Sequence, residues 1–237
     1  GGFDAFDAVD AIDAFGAFDG VDAFDGVGAG GELGARSLIG GVRIGGALAS
    51  AHRTCARALE EETNKGHVRF EPNACARLAH HLIMANDHEA ALAPLLQAAA
   101  RSMEIDDLES AASFLEQRRA LFEPLGVHDE HPAWLENEII EGWVAVRYAH
   151  AEEGTRLAER VLAIAERDGH DALLGKALRL LGKVLRAHSM DDSSAAFERA
   201  LIPLARAGDM AELGKAKLAL GWDRGRSGSV EEGLGIL

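Results

Sequence analysis

Four cations, Lys176, Arg179, Lys183 and Arg186, recur at i, i+3, i+7 and i+10 through a stretch otherwise rich in Leu. On an α-helix that spacing gathers them on one face, with Leu178, Leu181 and Leu185 on the opposite side. A positive face of this kind can hold carboxylates or phosphates through charge-assisted hydrogen bonds. The plainer reading is a solvated helix face, with Glu159 or Glu166 of the preceding stretch as partners.

Other candidate chemistry is thinner. His80 and His81 are adjacent, with His88 beyond. Neighbours on a helix point about 100° apart, so the first two do not share one ion, and they read as packing residues. His128-x-x-His131 supplies only two local ligands and reads as a solvated loop. Cys55 and Cys75 sit among Ala, Leu and Arg, the surroundings of buried structural cysteines rather than of activated thiolates. The run Glu60 to Glu62 reads as a helix surface. No catalytic residue, metal ligand or cofactor site is assigned, and the chain is read as a non-enzyme.

The elements that must position these residues follow from repetition. Gly142, Gly182 and Gly221 lie about 40 residues apart, each with Leu or Ile close before it. Each is followed by a second helix-like stretch with a hydrophobe in register, Leu157, Phe197 and Leu234. Self-similarity at this period marks stacked helix pairs, an array that presents an extended surface to a partner. From Ala47 onward helix-like segments alternate with breaks at Asn64-Lys65-Gly66, Pro124-Leu125-Gly126, Asp168-Gly169, Gly208-Asp209 and Ser227-Gly228-Ser229. Paired, they give units over 88–124, 132–168, 171–207 and 210–237. Ala111, Ala112, Ala158, Ala195 and Ala196 are placed where the second helix of a unit approaches the first. No segment alternates as a strand, and short links imply antiparallel neighbours. The fold class is all-α, an α-solenoid of antiparallel helix pairs over 47–237.

Residues 1–46 are different. Nine triplets of apolar, Asp or Gly, then Ala or Gly run from Phe3 to Ala29. A period of three builds no apolar face, and the Asp spacing fits no calcium loop, so this part reads as a low-complexity, disordered tail. The Gly-rich residues 30–46 read as linker. The tail carries seven Asp and no Lys or Arg, about half of a net charge of -15. Such a field disfavours nucleic-acid backbone. Two cysteines form no disulfide framework and fit a reduced, cytoplasmic setting. No apolar run spans a bilayer, and the N-terminus lacks a secretory pattern. The chain begins without Met and stops at Gly235-Ile236-Leu237 in a further helix-like stretch starting at Val230, the pattern of a piece of something longer.

In the third unit Leu181-Gly182, Phe197 and Ala200 resemble the signature of a tetratricopeptide repeat, and the fold is expected to be a TPR-like superhelix. The spacing is longer than the usual period of about 34 residues. The stretches AHRTCARALE (51–60) and ARLAHHLIMANDHEAALAPLLQAAA (76–100) resemble the segment that follows the nucleotide-binding and winged-helix parts of large bacterial signalling ATPases. These include LuxR-type regulators and ATPases linked to Ser/Thr kinases. The chain lacks a G-x-x-x-x-G-K-[ST] phosphate loop; GELGARSLIGG has glycines but no lysine.

The resemblance implies a non-catalytic interaction or ligand-sensing module of a signal-transduction protein. By its register the first helix of each pair lines a concave groove. Trp143, Lys176, Arg179, Lys183, Arg186, Lys215 and Trp222 are then the binding residues. Cations beside indoles suit an acidic or phosphorylated protein or peptide, and an upstream NTPase domain of the parent is a second implied partner. The alternative is a fragment of an ATPase, kinase or transcriptional regulator whose catalytic or DNA-binding domains lie elsewhere. Nucleic acid and membrane are not expected as partners.

Overall fold

The computed structural model describes residues 33–64 and 73–226, and every regular element among them is an α-helix. In chain order they are α1 (Leu33–Asn64), α2 (Ala74–Met84), α3 (His88–Glu104), α4 (Leu108–Ala120) and α5 (Pro132–Arg147). There follow α6 (Ala151–Asp168), α7 (Asp171–Leu185), α8 (Met190–Ala207) and α9 (Met210–Arg226). The repetitive tail and the stretch from Val230 lie outside the described residues.

The helices form two compact units, the first ending at Ala98 and the second beginning at Ala99. This boundary falls inside α3, within the stretch expected as one repeat domain over 47–237 and as a helix pair over 88–124. In the first unit α1 packs on α2. His52, Cys55, Ala56 and Leu59 are its buried residues on α1, spaced i, i+3, i+4, i+7. Ala74, Ala79, His81 and Leu82 are buried on α2. Helix α1 reaches back to Leu33, where a linker is expected from the glycine content. Leu38, Ile39 and Val42 recur there at helical spacing, and each glycine costs only about 1 kcal/mol against Ala.

In the second unit each helix from α4 to α9 packs on its neighbour in sequence. The first helices of successive pairs also touch in turn, α5 with α7 and α7 with α9. This is an all-α, solenoid-like arrangement. Local signals set the breaks. Asp107 caps α4 by accepting from the Ser110 N–H at 3.1 Å. Pro132 opens α5, where a missing N–H costs nothing. Gly169 and Gly208 end α6 and α8 in the left-handed region, with φ of 72° and 70°. The short connections fold successive helices back as hairpins.

Two clusters fill the seams. Leu135, Ile139, Val161, Ile164, Ala165, Leu173 and Ala177 join α5, α6 and α7. Leu178, Ala200, Leu204 and Ala216 join α7, α8 and α9. The two glycines of the repeat sit at close approaches. A Cβ on Gly142 would stand 2.4 Å from Leu180 Cδ2 and 3.6 Å from Leu157 Cβ. One on Gly182 would stand 3.0 Å from the Phe197 ring. Phe197 is fully buried there, which contributes about 2 kcal/mol. Gly221 is also buried, and its expected mate Leu234 lies outside the described residues. Of the alanines assigned to crossings, Ala111, Ala158 and Ala196 are buried. Ala112 is half-buried and Ala195 is exposed, so the crossing at α8 uses Ala196.

Candidate functional site: an interaction surface on the first helices

Helix α7 buries Leu173, Ala177, Leu178, Leu180 and Val184 and turns its cations toward α9. Lys176 Nζ lies 3.2 Å from Asp209 Oδ2. Arg179 donates from Nε to Glu212 Oε2 at 2.6 Å. Arg186, just past the helix end, sets Nε 2.7 Å from Asp223 Oδ1. That last contact is Coulombic rather than hydrogen-bonded, because the N–H is not aimed at the oxygen. A second guanidinium nitrogen of Arg186 donates to the Ala219 carbonyl at 3.1 Å.

The expected open cationic groove is therefore corrected. Three of its four cations form an ion-pair ladder between consecutive first helices. Nor are the partners on the preceding helix, since Glu166 pairs with Arg199 on α8 at 3.3 Å. Lys183 is exposed and has no ion pair among the described residues.

Burial tunes the ladder. It lowers the Arg179 guanidinium from its ordinary value, against the opposing charges of Glu212 and Asp209. At Asp209 burial pushes the carboxyl upward. The Glu212 N–H and Lys176 outweigh it and hold the group below the usual carboxylate range. Asp223 is fully buried. The Ser193 hydroxyl lies 2.6 Å from its Oδ2 and 2.9 Å from the Gly182 carbonyl, so its one proton serves one acceptor at a time.

The indoles part company. Trp143 is half-buried against the first seam, with its Nε1 buried and lacking a hydrogen-bond partner among the described residues. The Arg179 guanidinium lies 4.3 Å from its ring centroid, a cation–π contact that covers one face of the ring. Trp222, on α9, is 60 % exposed. Lys215 is exposed too and donates to Glu212 at 2.8 Å. The assigned residues thus fall into a paired set, Lys176, Arg179, Arg186 and Trp143, and an accessible set, Lys183, Lys215 and Trp222.

A second polar network, between α4 and α5, was not anticipated. Arg118 is almost wholly buried and donates to Glu136 at 3.0 Å and to Asn137 at 3.4 Å. Burial lowers its guanidinium from the ordinary value, opposed by Glu136. Arg119 pairs with Glu141, whose carboxyl burial raises above the usual range despite that arginine. The sequence signal was present: Arg118-Arg119 precedes three glutamates on the next helix.

The histidines serve packing and capping. His81 is buried with Nδ1 2.8 Å from Nδ1 of His52, so only one of the two carries a proton at that position. His80 is exposed. His131 caps α5, its Nδ1 accepting from the Ala133 N–H at 3.1 Å. Among the described residues no group of three or more His, Cys, Asp or Glu is arranged to hold a metal ion. No described helix is long and apolar enough to cross a membrane.

No protein-family model matches the chain, and no curated protein matches it. Among solved structures it is similar to BtubC (BKLC) from P. vanneervenii, at 16% identity over 80% of this chain and 87% of that one, with a TM-score of 0.49. A likeness at that level carries no argument about function.

Proposed function

We propose that this chain is a non-catalytic, TPR-like interaction module of a bacterial cytoplasmic signal-transduction protein that holds an acidic or phosphorylated partner segment. The observation that carries this reading is the accessible set, Lys183, Lys215 and Trp222. Lys183 and Trp222 each follow the repeat glycine of their helix, Gly182 and Gly221. An exposed indole and exposed lysines on neighbouring first helices offer stacking area together with donors for carboxylate or phosphate. The paired cations of α7 serve cohesion on this reading, and the ligand meets the remainder.

The test is fluorescence anisotropy with labelled acidic peptides and phosphopeptides. Lys183→Glu combined with Lys215→Glu should weaken binding by about tenfold or more, and added salt should weaken it further. Binding that neither the double variant nor Trp222→Ala changes would dispose of the reading.

A further inference from the structure

Helices α1 and α2 meet through two histidines. His52 recurs with Cys55, Ala56 and Leu59 as the buried stripe of α1, and His81 is buried beside Leu82 on α2. Their ring centroids lie 5.1 Å apart, with Nδ1 to Nδ1 at 2.8 Å. Apolar side chains alone would close such a stripe; an imidazole pair makes its closure depend on protons.

The contact counts those protons. One Nδ1 donates and the other accepts, so the pair holds one proton between its Nδ1 atoms. A further proton fits only on an Nε2, and it leaves a cation where His52 is 6 % and His81 0 % exposed, which burial disfavours. The next proton fits nowhere, because two N–H groups and two like charges would then face each other. Once the helices part, both rings meet water and each takes a proton near the ordinary histidine value, about 6.5. In acid the open form therefore binds one or two more protons than the closed form. Closure is fully favoured above about 6.5 and weakens as pH falls below it.

The surroundings support that sign. Arg53 follows His52 on α1 and donates to the Ala85 carbonyl at 3.4 Å, and Arg77 stands one turn before His81 on α2. The His80 ring lies edge-on, 5.8 Å from His52 and 5.6 Å from His81. Cations at these places oppose further protonation of the pair. Cys55 brings a thiol. The carboxylates of Glu60 and Glu61 lie more than two turns beyond His52 and are exposed, as are Asp87 and Glu89 at the hairpin into α3, so solvent screens them. Helix α3 adds His88 at that hairpin and the neutral Gln97, which accepts from the Cys75 thiol at 3.5 Å.

We infer that His52 and His81 form an acid-released latch between α1 and α2, closed near neutral pH and opened when both rings are protonated.

Hydrogen exchange read by mass spectrometry on the full 237-residue chain tests it. Protection factors of α2, corrected for intrinsic exchange at each pH, are compared with those of α7. From about pH 7.5 to about pH 5.5 the protection of α2 should fall roughly tenfold to a hundredfold, as one or two extra protons require, while α7 holds. His81→Gln removes the shared Nδ1 contact and one titrating ring, and should shrink the fall at least about threefold. His80→Gln, outside that contact, should keep it. Nitrogen NMR shifts of the imidazoles in the parent need no variant to fold. Near neutral pH they should show one Nδ1–H ring and one whose Nδ1 accepts. Protection of α2 that is flat with pH, a fall shared equally by α7, a fall of parental size in His81→Gln, or two rings that both carry their proton on Nε2 overturns the inference.

Discussion

The Arg179 guanidinium lies 4.3 Å from the centroid of the Trp143 ring. One residue on α7 thereby grips both flanking first helices, since the same side chain bonds Glu212 on α9 at 2.6 Å. The side chains of Arg179 and Glu212 are only 17% and 14% exposed, so little water competes for the pair.

Removing one member of such a pair strands the other. Arg179→Ala should lower stability by about 2 kcal/mol, at the low end for a buried pair because Lys215 still reaches Glu212. Urea unfolding measures it, and a loss below about 0.5 kcal/mol would show that the pair behaves as a surface bridge.

Glycines on the same kind of helix should respond with opposite signs. Gly182→Ala drives a methyl against the Phe197 ring and should cost about 1 kcal/mol net, overpacking exceeding the gain in helix propensity. Gly214→Ala meets open space and should gain up to about 1 kcal/mol. Phe197→Leu added to Gly182→Ala should recover part of the loss in a double-mutant cycle.

The Ser193–Asp223 contact joins α8 to α9 in the interior. Ser193→Ala removes a donor from a buried carboxylate and should cost about 1–3 kcal/mol. Asp223→Ala leaves both Arg186 and Ser193 facing a void and should cost more, about 3 kcal/mol. Equal thermal midpoints for the two variants would contradict this order.

Two carboxyls give opposite pH signatures. Asp209 is depressed in the folded state, so its stabilisation is present above the unfolded value, about 3.9, and is lost as pH falls through its lower folded value. Asp209→Asn should flatten that acid limb of the urea midpoint. Glu141 is raised, so its ionisation opposes folding as pH rises from its unfolded value through its higher folded one. Glu141→Gln should therefore gain relative to the parent at neutral pH and converge with it in acid. A parallel offset at every pH would refute both assignments.

The hairpins were legible because their signals are local. Gly142 with Leu157 and Gly182 with Phe197 lie 15 residues apart, and the caps and breaks fall beside them. The ion pairs were not, because their partners come from the next repeat. Asp209 and Glu212 each lie 33 residues beyond their cations, and Asp223 lies 37 beyond Arg186. A stripe of charge reads as solvated until the facing helix is known. The α1 start was misread because glycine content masked a weak apolar rhythm, and the boundary at Ala98 carries no punctuation at all.

The ladder between α7 and α9 also bears on how such a chain can change over generations. Its rungs are complementary only between those two neighbours; the contact from α5 to α7 uses an indole and a glycine instead. Copying or excising the α7–α8 hairpin would therefore set cations against a mismatched surface and leave Asp223 orphaned. Growth or shrinkage of this array by whole hairpins is obstructed at that joint, and its hairpin number is more readily altered at the ends than in the middle.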